Sequence, residues 1–100
     1  MRIPVTDEML AELVGEELQS RIAMGTGFTA YDITRSLRLD QPHLHIPHDA
    51  VRAWVHRYMA NVVSGGLYTA SQKPFGAQPA VVYEPASLAT HYPSIPFSMN

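Results

Sequence analysis

The chain has 100 residues, 46% of them hydrophobic and 16% charged, which suits one domain with a single small core and is too short for two. With no cysteine, disulfides and Cys-ligated zinc or iron–sulfur sites are excluded. A net charge of −2 does not mark a strongly electrostatic nucleic-acid binder. The apolar runs fall far short of the roughly 20 residues needed to cross a bilayer. Met1-Arg2-Ile3-Pro4 carries no signal-peptide apolar stretch, so a soluble cytoplasmic protein is expected.

From Thr6 to Met24, Leu10, Val14, Leu18 and Ile22 recur every fourth residue with Leu13 beside them, while Glu8, Glu12, Glu16 and Gln19 take the other side. This spacing predicts an amphipathic helix with Thr6 as its N-cap, Asp7 and Glu8 at the positive end of its dipole, and Gly25 and Gly27 as its stop. Glu17 falls inside the apolar arc, where a partner cation or a frayed register would account for it. Thr29-x-x-Asp32 is a capping-box variant, and Ile33 and Leu37 give an inward face to a second helix over residues 30–39.

A loop from Asp40 leads to Ile46-Pro47, and proline suits the first turn of a third helix starting near Pro47 or His48. Val51, Trp54, Val55, Tyr58 and Val62 share one arc of that helix; Asp49, Arg52, Ala53, His56 and Arg57 share the opposite one. It is expected to end at Ser64, with Gly65-Gly66 supplying the left-handed terminator. The period then drops to two. Residues 67–71 and 80–84 are strand-like, and Lys73 to Pro79 between them is rich in turn formers, so a β-hairpin with a long loop is expected. Residues 85–100, with Pro85, Pro93 and Pro96, have no sustained period and are expected to form a mobile or docking tail.

Helix, short extended segment (Phe28-Thr29), helix, loop, helix and hairpin is an α+β order that resembles the winged helix-turn-helix superfamily over residues 6–84. The resemblance rests on the capped helix Thr29 to Arg38, the third helix carrying Arg52, His56 and Arg57 outward, and the hairpin. It implies a winged helix domain over residues 1–84 whose third helix enters the major groove of double-stranded DNA while the hairpin touches the backbone. On that basis the DNA-binding residues are Arg35, Arg38, His48, Arg52, His56, Arg57 and Lys73.

Charge is segregated in the same sense. Residues 1–20 set Arg2 against Asp7, Glu8, Glu12, Glu16 and Glu17, a net of −4, so the remainder is +2 and holds all five histidines. With few phosphate contacts per chain, a monomer would bind weakly, and a homodimer is expected, packed through the Leu10–Ile22 stripe, the tail or both. The expected function is a DNA-binding transcriptional regulator or accessory factor; the alternative is a winged helix module for protein–protein interaction through the third helix, the hairpin or the tail.

Each candidate also has an ordinary structural reading. Arg52 is either a base-contacting arginine or a solvated one paired with Asp49 or Asp32, and Arg35 and Arg38 contact phosphate or solvent. His43-x-His45-x-x-His48 has metal-ligand residues without a completing set, so no metal or other cofactor is expected, and His48 is read as helping to cap the third helix. His56 adds charge at low pH. Trp54, Tyr58 and Tyr31 are read as core aromatics, Tyr31 with its hydroxyl reaching the surface, whereas Phe75 at the hairpin tip is expected to be exposed as a contact residue unless it packs back. No nucleophile elbow, phosphate-cradling loop or dinucleotide fingerprint occurs, and catalysis is not expected.

Overall fold

The computed structural model describes residues 1–76 and 78–86, with only the backbone of Phe75 and Gln78. In chain order the elements are β1 (Ile3–Pro4), α1 (Asp7–Met24), β2 (Phe28–Thr29), α2 (Ala30–Asp40), β3 (Leu44–His45), α3 (His48–Ser64), β4 (Tyr68–Phe75) and β5 (Gln78–Pro85). Three helices and a three-stranded antiparallel sheet, ordered β2-β5-β4, make an α+β unit. The two-residue strands β1 and β3 pair in parallel, Ile3 with Leu44 and Pro4 with His45. Neither was expected, because two residues cannot display a period.

Local chemistry sets the helix ends. Thr6 caps α1 by accepting from the Met9 N–H at 3.1 Å, and Gly25 stops it in the left-handed region at φ 67°. At α2 the box closes in both directions: the Asp32 N–H donates to Thr29 Oγ1 at 3.3 Å and the Thr29 N–H to Asp32 Oδ2 at 2.9 Å. α3 starts on Pro47 without a side-chain cap, so His48 does not cap it; its ring is engaged elsewhere. At the far end Gly65 keeps a right-handed conformation, and Gly66, at φ 84°, makes the reversal into β4.

The core is built from Leu10, Val14 and Leu18 of α1, Ile33 and Leu37 of α2, Val51, Val55 and Met59 of α3, and the ring of Phe28. Met59 joins Val51 and Val55 at spacings of four. Trp54, Tyr58 and Val62 pack against this cluster while half-buried. Because Leu10, Val14 and Leu18 are consumed inside their own domain, the α1 stripe is not a seam for a second copy. Glu17 has its cation: Arg21, one turn on, donates to it at 2.8 Å and to Ser36 Oγ of α2 at 2.7 Å, a bridge between the two helices that is about one-fifth exposed.

The hairpin differs most from expectation. The β4–β5 register runs without a break from Tyr68↔Pro85 to Phe75↔Gln78, so only two residues separate the strands, the first of them Gly76 at φ 66°, in place of a long loop. Lys73 to Phe75 and Gln78 to Pro79 look like loop because proline cannot donate to a ladder. Antiparallel rungs alternate between hydrogen-bonded and free pairs, and Pro74↔Pro79 and Tyr68↔Pro85 share one parity. All three prolines therefore occupy rungs where β4 and β5 need no N–H between them. The sheet also takes in Pro85, which the expected boundary at residue 84 assigned to the tail; residues 87–100 and the side chain of Phe75 lie outside the described residues.

Removing the α1–α2 bridge tests its weight. Arg21→Ala leaves a half-buried Glu17 without its cation and is expected to destabilise the fold by about 1 kcal/mol, lowering Tm by about 4–8 °C. Calorimetry showing an unchanged Tm would contradict that role.

Candidate nucleic-acid interface

α3 turns two different stripes to its surroundings. Val51, Val55 and Met59 are fully buried, and on the opposite side Asp49, Arg52, Ala53, His56 and Ala60 follow at helical spacings and stay exposed. That outer stripe forms one wall of a groove of about 520 Å³, closed at the top by Thr29, Ala30 and Tyr31 at the start of α2 and on the far side by the hairpin. The capping box of α2 and the first turn of α3 thus meet at the same end of the groove.

Three of the sequence candidates come together here: His48, Arg52 and His56. Arg52 lies 3.4 Å from Asp49 Oδ1, with side chains 64% and 89% exposed, so the pair is screened by solvent and leaves the guanidinium able to change partners. Thr34, 2% exposed, donates its hydroxyl proton to the Ala30 carbonyl at 3.1 Å and sits 2.8 Å from His48 Nδ1. That contact engages Nδ1, and Nε2 is the ring nitrogen left for other partners. The His48 ring also lies 4.9 Å from that of Tyr31, whose side chain is exposed and not part of the core as expected.

The Tyr31–His48 pair separates this groove from a second cleft of about 300 Å³ that holds Arg35, Arg38 and Leu39. Arg35 is exposed there. Arg38 instead braces the fold, because its Nε and Nη2 both donate to the Ile46 carbonyl, at 3.0 and 2.8 Å, fixing the chain just before α3. Two candidates line neither cavity. Arg57 lies 5.0 Å over the Trp54 ring, and Lys73, in β4 and not in a loop, is 3.7 Å from Glu84. Residues that sequence reasoning missed are Gln72 and Tyr83, brought to the groove by the β4–β5 register; a strand without a known register offers no signal for this.

Burial shapes the two inner tyrosines. Desolvation raises the pKa of Tyr68 and of Tyr83 above the ordinary 10.0, keeping both neutral at physiological pH. Tyr68 donates its hydroxyl to the Thr26 carbonyl at 2.8 Å. His43 and His45 are exposed, and among the described residues no three histidine, aspartate or glutamate side chains are grouped to hold a metal ion. No helix among the described residues is long and apolar enough to cross a membrane.

No protein-family profile, no curated protein and no solved structure matches this chain.

The histidine run can be tested directly. Zinc is expected neither to remain with the protein through dialysis nor to raise its Tm, because His48 is turned to Thr34 and away from a shared site. One retained equivalent, lost in His43→Ala or His45→Ala, would establish a metal centre.

Proposed function

We propose that the chain is a winged helix DNA-binding protein, a transcriptional regulator or DNA-binding accessory factor, in which α3 enters the major groove of duplex DNA and the β4–β5 hairpin lies beside the phosphate backbone. The observation that carries this reading is the outer stripe of α3: Arg52 and His56 stand clear of the core, spaced by small Ala53 and Ala60, on the side where the hairpin projects. Arg35 on α2 adds a cation within reach of phosphate. The five acidic residues of the first 20 positions are held on α1, and none of them lines the groove beside this stripe.

The basic set is small, since Arg21 is half-buried and paired with Glu17, and Arg38, though exposed, is held by the Ile46 carbonyl. Affinity that depends on neutralised phosphates is then modest for one copy, and a homodimer spanning two successive major grooves raises it. The α1 stripe being internal, the residues beyond 86 are the segment assigned to that assembly.

A second reading, a module that docks on a protein, is favoured by one feature: past His56 the groove becomes apolar, lined by Met59, Ala60, Val63 and Ala70. Salt dependence separates the two. Fluorescence anisotropy with nonspecific duplex DNA is expected to show tighter binding at low salt, weakened about fivefold or more by Arg52→Ala and much less by Arg2→Ala, a charge-matched change on the flank of β1. Equal effects of the two substitutions, or no binding at low salt, would remove α3 from the groove. Light scattering is expected to give a dimer mass for the full chain and a monomer mass when it is cut after Ala86; a monomeric full chain at high micromolar concentration overturns the dimer.

A further inference from the structure

We propose that the groove between α3 and the β4–β5 hairpin is a binding site for a small organic carboxylate with an apolar body, the carboxylate held by Arg52, His56 and the Tyr83 hydroxyl and the body lying toward Met59 and Val63. The 520 Å³ cavity continues into another of about 320 Å³, and the two share His56, Gln72, Val81 and Tyr83. Each is of the size that takes a small ligand. The polarity changes along it, from Arg52 and His48 at one end to Met59, Val63 and Ala70 at the other.

Tyr83 lies where the two parts join and is 4% exposed. Its ring packs on Phe28 at 5.5 Å, but its hydroxyl has no hydrogen-bond partner among the described residues. Its neighbour Tyr68, equally buried, has two carbonyl acceptors. A buried phenol that lacks an acceptor destabilises the empty fold and supplies a donor to an occupant that brings one. The remaining polar lining can donate to an anion: the Arg52 guanidinium is purely a donor, the His56 ring and the Gln72 amide can each supply one, and one carboxylate, Asp49, stands against them in an exposed contact with Arg52 that is easily exchanged. A ligand matching this set is rich in acceptors at one end and apolar at the other, which describes a carboxylate and not an amine or a sugar.

An occupant would cover Arg52 and His56, so it would displace duplex DNA. That consequence rests on the DNA-binding reading; the binding itself does not.

The test uses the full chain, ¹⁵N-labelled, titrated with octanoate, with acetate and octanamide as probes lacking the apolar body and the charge. Octanoate is expected to shift amide resonances of Arg52, His56, Val63, Ala70, Val81 and Tyr83, and to bind at least about tenfold more tightly than either control. Tyr83→Phe is expected to weaken octanoate about tenfold without lowering Tm, and Arg52→Gln to make octanoate and octanamide equivalent. Shifts spread outside the groove, octanamide binding as well as octanoate, or a folded Tyr83→Phe variant with undiminished binding would overturn the proposal. Arg52→Gln changes an exposed side chain and decides the matter if Tyr83→Phe does not fold. No DNA is present, so failure here leaves the DNA-binding reading standing, and failure of that reading leaves the octanoate result intact.

Discussion

The helical part and the hairpin of this protein are joined through a three-residue passage, Gly27-Phe28-Thr29. Phe28 pairs with Tyr83 in the sheet and buries its ring against both Tyr83 and Tyr68, at 5.5 and 5.9 Å. Thr29 pairs with Val82 through its backbone and caps α2 with its side chain. Gly27 lets the chain pass close to the sheet, since a Cβ there would meet the Tyr83 carbonyl at 3.3 Å. One end of α2 is thus set by the same residues that hold β5. The groove owes its shape to that shared attachment, because α2 supplies its top, β5 its far side, and α3 is packed against α2 and β4.

The cationic side chains are divided between holding the fold and facing outward. Arg21 ties α1 to α2 through Glu17 and Ser36, and Arg38 ties the end of α2 to Ile46. Arg21 donates to two acceptors and Arg38 sets two N–H groups on one carbonyl, both of which a planar fork of five donors does well. Arg21, paired with Glu17 and only about one-fifth exposed, is the cation this arrangement withdraws from the surface. What remains along α3 is a short stripe whose strength depends on position more than on number, with Arg52 at its centre.

The groove beside α3 combines features that pull in different directions. The outer stripe of α3 is open and wettable, yet the cleft beside it continues into apolar lining and holds a buried tyrosine whose hydroxyl has no partner among the described residues. Buried polar groups without partners are uncommon in well-packed interiors. Filling the groove would satisfy that hydroxyl and cover the stripe at once, linking stability, occupancy and access to α3 through a single residue on β5.

Much of the fold is legible in the sequence, wherever information is local. The N-caps Thr6 and Thr29, the stop at Gly25, the period-four stripes of α1 and α3 and the outward placing of Arg52 and His56 all depend on residues within a turn or two of one another. Partners far apart in the chain are another matter. Arg21 to Ser36, His48 to Thr34, Arg38 to Ile46 and the pairing of Ile3 with Leu44 join separate elements, and no spacing announces them. The hairpin shows the same division: its prolines and glycine read locally as loop, whereas the register sets them on rungs that need no N–H. By itself the sequence determined which faces are apolar and where helices begin; only the tertiary structure decided which cations bridge elements of the fold and that Gln72 and Tyr83 line the groove. The physical reason is that capping and amphipathicity act within one element, while register and side-chain pairing exist only once two elements are packed together.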